Sequence, residues 1–178
     1  MSTEKDYDQF WISLPEGPNM YDVADLLRHG ANELQEQMDK EPLYLIECYM
    51  NHAGFEDDKP TFFASYWKRE EEDLEREADI HLEIETEGRR EKPTEEVTFI
   101  VDPSLHPKLN GFTQRLSQGK EQSDPVKLIR SVADTIDAQT SVRILDVVYH
   151  DYMDEDGLNY PYMNVYFTSS SKKSVATP

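Results

Sequence analysis

Along residues 20–38 the apolar positions Val23, Leu26, Leu27, Ala31, Leu34 and Met38 recur at three- and four-residue spacing, which predicts a helix with one buried face. Asn19 and Asp22 compete as its cap. Gly30 costs about 1 kcal/mol against Ala in a helix interior, and close packing on a sheet would account for its presence. A second helix is expected to begin at Pro125, a residue favoured in the first turn, with Asp124 or Ser123 as cap and Val126, Ile129, Val132, Ala133 and Ile136 as its buried stripe.

Around these helices, β-rich runs predict strands at 9–14, 42–53, 61–68, 80–86, 96–101, 142–152 and 161–168. The run at 80–86 alternates strictly, with Ile80, Leu82 and Ile84 set against His81, Glu83 and Glu85, so one face is wet. In 61–67, Phe62, Ala64 and Tyr66 face one way and Phe63, Ser65 and Trp67 the other. In 162–167, Tyr162, Asn164 and Tyr166 oppose Met163, Val165 and Phe167. One set of each fills the core; the other covers the second sheet face or stands outside as an anchor for a partner. Residues 69–79 read as a solvated helical turn or a charged connection, and 102–123 as a connection holding a short helix in LNGFTQRL at 109–116. The polar ends, 1–8 and 169–178, are expected to fray.

A faint repeat organises these elements. Residues 24–38 align with 126–140, bringing Leu26 over Leu128, Leu27 over Ile129, Arg28 over Arg130, Ala31 over Ala133 and Leu34 over Ile136. A β-rich run, an acidic turn and an aromatic run follow each segment. The expectation is one α+β domain over 1–178: a mainly antiparallel seven-stranded sheet, two main helices on one face, and pseudo-duplicated β-α-β-β halves at about 9–87 and 96–168. Residues 102–123 would be an insertion in the second half, whose first strand would be 96–101.

Charge changes this picture more than composition does. The formal net charge is −19; residues 1–60 hold 14 acids against 4 bases, 61–100 hold 13 against 6, and 101–178 hold 10 against 8. A negative face on the N-terminal half repels phosphate and anionic lipid, which argues against direct nucleic-acid or membrane binding unless the chain imitates a polyanion. It suits a basic protein partner. No stretch approaches the roughly 18 consecutive apolar residues of a membrane span, and MSTEKDYDQF has neither a basic nor an apolar leader segment. With the lone Cys48 expected as a free buried thiol, a cytoplasmic location is expected.

Motifs for chemistry are weak. Setting Gly157 at the sixth position of a calcium loop puts Tyr152 at the first and Met163 at the twelfth, where carboxylates are needed, so 151–157 reads as a hairpin turn. The five histidines include no pair at helical metal-site spacing, and neither a nucleophile elbow nor a phosphate-cradling glycine loop is present. No metal or cofactor is therefore expected. The reading favoured by the sequence is a non-catalytic acidic protein that engages, and inhibits or chaperones, a basic partner, with Glu47, Glu56, Asp57, Asp58, Glu83 and Glu85 as charges and Tyr66 and Trp67 as anchors. Two alternatives stand beside it: a homo-oligomeric scaffold whose acidity serves solubility, and an enzyme with a dispersed site near His150 and Asp151.

Overall fold

The computed structural model describes residues 7–52, 59–70, 75, 96–100, 109–117, 121–153 and 159–169. Its elements, in chain order, are β1 (Asp8–Ile12), α1 (Val23–Lys40), β2 (Leu43–His52), β3 (Pro60–Lys68), β4 (Glu96–Ile100), β5 (Leu109–Arg115), α2 (Pro125–Ala138), β6 (Val142–His150) and β7 (Tyr162–Ser169). The strands form one sheet in the order β1-β3-β2-β6-β7-β5-β4, and every neighbouring pair is antiparallel.

The chain is thus α+β, with α1 and α2 packed on an antiparallel sheet. Six of the seven expected strands are found within a residue or two of their expected bounds. The one expected at 80–86 lies outside the described residues. The short helix expected at 109–116 is a correction: those residues form β5, which pairs with β7 from Leu109 to Arg115 and with β4 on its other side. Ladder bonds on both edges satisfy the backbone that a single helical turn would leave half unpaired. The correction extends to the second half, because β5, and not 96–101, is the strand from which the chain enters α2.

Local chemistry explains both helices. Asp22 caps α1 by accepting from the Asp25 amide, and Asp124 caps α2 by accepting from the Lys127 amide, both at 3.0 Å. Pro125 occupies the first turn of α2, where its missing N–H leaves no bond unmade. Leu26, Leu27, Ala31 and Leu34 of α1 and Val126, Leu128, Ile129, Val132, Ala133 and Ile136 of α2 are buried against one face of the sheet. From the sheet they meet Leu45, Cys48, Met50, Phe62, Ala64 and Tyr66 on one side and Phe112, Ile144, Val147, Tyr149, Met163, Val165 and Phe167 on the other. Gly30 lies against Phe62 so closely that a β-carbon on it would stand 2.5 Å from the ring, so the close packing expected there is present.

The same element order occurs on either side of β4. Each side goes strand, helix, strand, strand, and the ladder of each hairpin shifts register once, between Leu45 and Glu47 in the first and between Ile144 and Asp146 in the second. They meet edge to edge where β2 pairs β6 through Tyr49↔Val148, Met50↔Val147 and Asn51↔Asp146. The correspondence that carries Leu45 onto Ile144 also carries Tyr49 onto Val148, so this central pair matches a residue with its own counterpart.

Candidate interaction surface

No helix among the described residues covers the other face of the sheet. Because side chains alternate along a strand, that face takes the odd-numbered residues of β1 and β3, and on β2 the bulge brings both Tyr44 and Glu47 to it. Trp11, Phe63 and Tyr49 are cross-strand neighbours in one row. Their rings lie 5.3 Å apart (Trp11 to Phe63) and 4.8 Å apart (Tyr49 to Phe63), within the range in which aromatic pairs attract beyond their buried area. Phe63 is only 7% exposed beneath its neighbours, whereas Trp11, on the sheet's outermost described strand at this edge, is 58% exposed. A second ring pair, Tyr44 and Trp67, stacks at 5.2 Å with planes 15° apart.

Between these two aromatic groups runs the row Gln9, Ser65 and Glu47. Glu47 is exposed, and its carboxylate stands on a face flanked along the strands by rings on either side. Two residues of strand span roughly 7 Å, so each aromatic row lies within side-chain reach of a group held at Glu47.

The same face is different in the second half. Tyr162 stacks on His150 at 4.8 Å, and the Arg115 guanidinium lies 5.8 Å from the centre of the Tyr162 ring. Thr113 donates to Asn164 Oδ1 at 2.7 Å, which turns the Asn164 amide nitrogen toward His150 Nε2 at 3.1 Å. With the amide nitrogen as donor, Nε2 is the acceptor in that contact. Asp151, the other member of the alternative catalytic pair, has its pKa raised by burial, against hydrogen bonds from Asn159 and the Tyr152 backbone. The His150 ring meets the Asn164 amide and the Tyr162 ring.

The sequence-derived site residues separate. Glu47 and Trp67 share the helix-free face. Tyr66 is corrected: its ring lies on the helix side of β3, 7% exposed, where burial and the nearby Asp8 carboxylate raise its pKa. The pattern had assigned Tyr66 and Trp67 to opposite faces; both cannot anchor one partner. Glu56, Asp57, Asp58, Glu83 and Glu85 lie outside the described residues. Trp11 and Tyr49 were missed, although alternation in QFWISL sets Trp11 against Phe10 and Ile12 and so points it away from the core.

Cys48 is fully buried, and burial, with the Glu47 carboxylate next to it, holds its thiol far above the usual range. Among the described residues no group of three or more His, Cys, Asp or Glu side chains could hold a metal ion, and no helix is long and apolar enough to cross a membrane. A cleft of about 450 Å³ opens at the start of α1, lined by Tyr21, Val23, Ile136, Val142 and Arg143 among others. Comparison with family models, with curated proteins and with solved structures finds no match to the chain.

Proposed function

We propose that this protein is a non-catalytic binding protein that engages a basic protein partner through its N-terminal half, inhibiting or chaperoning it. One observation carries the reading: an exposed tryptophan, Trp11, continues a row of adjoining rings on a sheet face that no described helix covers, in the half of the chain that holds most of the excess acid. Carboxylates over that half speed encounter with a cationic surface, and desolvated rings slow its departure.

We further propose that both halves descend from one β-α-β-β unit, which supplied the core twice. Matching caps at Asp22 and Asp124, matching register shifts in the two hairpins, and the helix alignment support this. The outer face then diverged while the helix-facing positions stayed apolar. A cytoplasmic location belongs to the same proposal, since a lone buried thiol suits a reducing compartment.

Affinity capture from cell extract at low salt, followed by elution with rising salt and identification by mass, tests the reading. The captured set should be enriched in basic proteins that leave as ionic strength reaches the physiological range. A captured set no more basic than the extract, or one indifferent to salt, would overturn it.

A further inference from the structure

We infer that Glu47, between its two aromatic groups, is the seat of a cationic side chain, an arginine above all, presented by the basic partner. This rests on the binding role proposed above and adds where, and by what group, the partner is held.

Register carries each open-face position of the first half onto one of the second, as the row Trp11, Phe63, Tyr49 onto Thr113, Asn164, Val148. Helix-facing positions keep their apolar character under this correspondence: Phe10 and Phe112, Ala64 and Val165, Tyr66 and Phe167, Leu45 and Ile144. Most open-face positions do not, the pair Tyr49 and Val148 excepted. Trp11 becomes Thr113, Phe63 becomes Asn164, Trp67 becomes Thr168 and Tyr44 becomes Arg143.

The acid is retained there, Glu47 matching Asp146. In the second half the chain itself places a guanidinium, Arg143, at the position of Tyr44. In the first half the carboxylate has rings around it instead, from Tyr44 and Trp67 on one side and from Tyr49, Phe63 and Trp11 on the other. Rings attract a cation held within about 6 Å of their faces, arginine more often than lysine, and a carboxylate fixes its charge. The complementary sign is set by the whole molecule, at −19. That charge also opposes a second copy of the chain as occupant.

The full chain should be titrated at low salt with a synthetic decapeptide of alternating arginine and glycine and with its lysine and citrulline counterparts, by calorimetry. Trp11 emission is followed in parallel in a Trp67→Phe protein. Glu47→Gln and Trp11→Ala, both at exposed side chains, are compared with Asp146→Asn, and circular dichroism checks each fold. The inference expects the arginine peptide to bind more tightly than the lysine one and to perturb Trp11 emission. Glu47→Gln and Trp11→Ala should each weaken it by roughly tenfold, with Asp146→Asn near wild type. Equal binding by wild type and both first-half variants would overturn the inference and leave the basic-partner reading standing. Binding of neither cationic peptide would overturn both, and a concentration-dependent dimer abolished by Trp11→Ala would replace the cationic occupant with a second copy.

Discussion

Arg28 of α1 reaches across the helix pair to Asp134 of α2 at 2.8 Å, and Arg130, which occupies the matching place on α2, reaches back to Asn32 at 3.0 Å. Asn32 and Asp134 are aligned positions of the two helices, so the contacts link aligned positions, once with charge on both partners and once on a single partner. Arg28 also meets Asp137 at 2.5 Å, and these two carboxylates raise its pKa above its already high value.

Removing the two arginines should therefore have unequal effects. Arg28→Ala is expected to cost about 1 kcal/mol, the upper end for a surface pair, because it strands two acids. Arg130→Ala should cost less than about 0.5 kcal/mol. Urea melts at low salt and in 1 M NaCl distinguish them: the Arg28 deficit shrinks with screening, and the Arg130 deficit does not.

Gly30→Ala sets two effects against each other. Alanine gains about 1 kcal/mol in helix propensity, but its β-carbon would fall 2.5 Å from the Phe62 ring, on fully buried neighbours. Overpacking of this kind costs roughly 1–3 kcal/mol, so the variant should be destabilised overall. At the aligned positions of the second half stand Val132 and Met163. Adding Phe62→Met to Gly30→Ala should restore part of the loss in thermal melts; a further drop would show that the ring is not the obstacle.

Each cap should count equally. Asp22→Ala and Asp124→Ala each remove a carboxylate that accepts from a first-turn amide at 3.0 Å, a change worth about 1 kcal/mol. Chemical denaturation of the two variants should give midpoints within error of one another. A double variant should show the sum, because the sites share no partner.

Cys48 should be silent to thiol reagents in the native protein. Its side chain is fully buried and its thiol is held protonated at neutral pH, and only the thiolate reacts. Labelling with a chromogenic disulfide should proceed at the rate of unfolding and become immediate in denaturant; prompt labelling without denaturant would contradict the burial.

Periodicity made the helices and most strands legible. It failed at 109–116 for a local reason. Leu109, Phe112 and Leu116 fall at helical spacing, while the strand's own alternation is broken by Gln114, which is polar yet 1% exposed and donates to Ser131 of α2 at 2.6 Å. A buried glutamine held by a helix cannot be recognised before the helix is placed. The open face was legible by halves. Alternation sorted Tyr66 from Trp67 and Tyr162 from Met163, but which set the helices would cover depends on packing between elements distant in sequence. Trp11 was overlooked because a short edge strand carries too few turns of the pattern to weigh.

The seam between the halves is three rungs long, from Tyr49↔Val148 to Asn51↔Asp146, whereas each hairpin is zipped along nearly all of both its strands. On the helix side of that seam α1 and α2 share one apolar core, and Arg28 of α1 pairs with Asp134 and Asp137 of α2. Parting the two hairpins at those three rungs would therefore also mean parting the helices that lie across them.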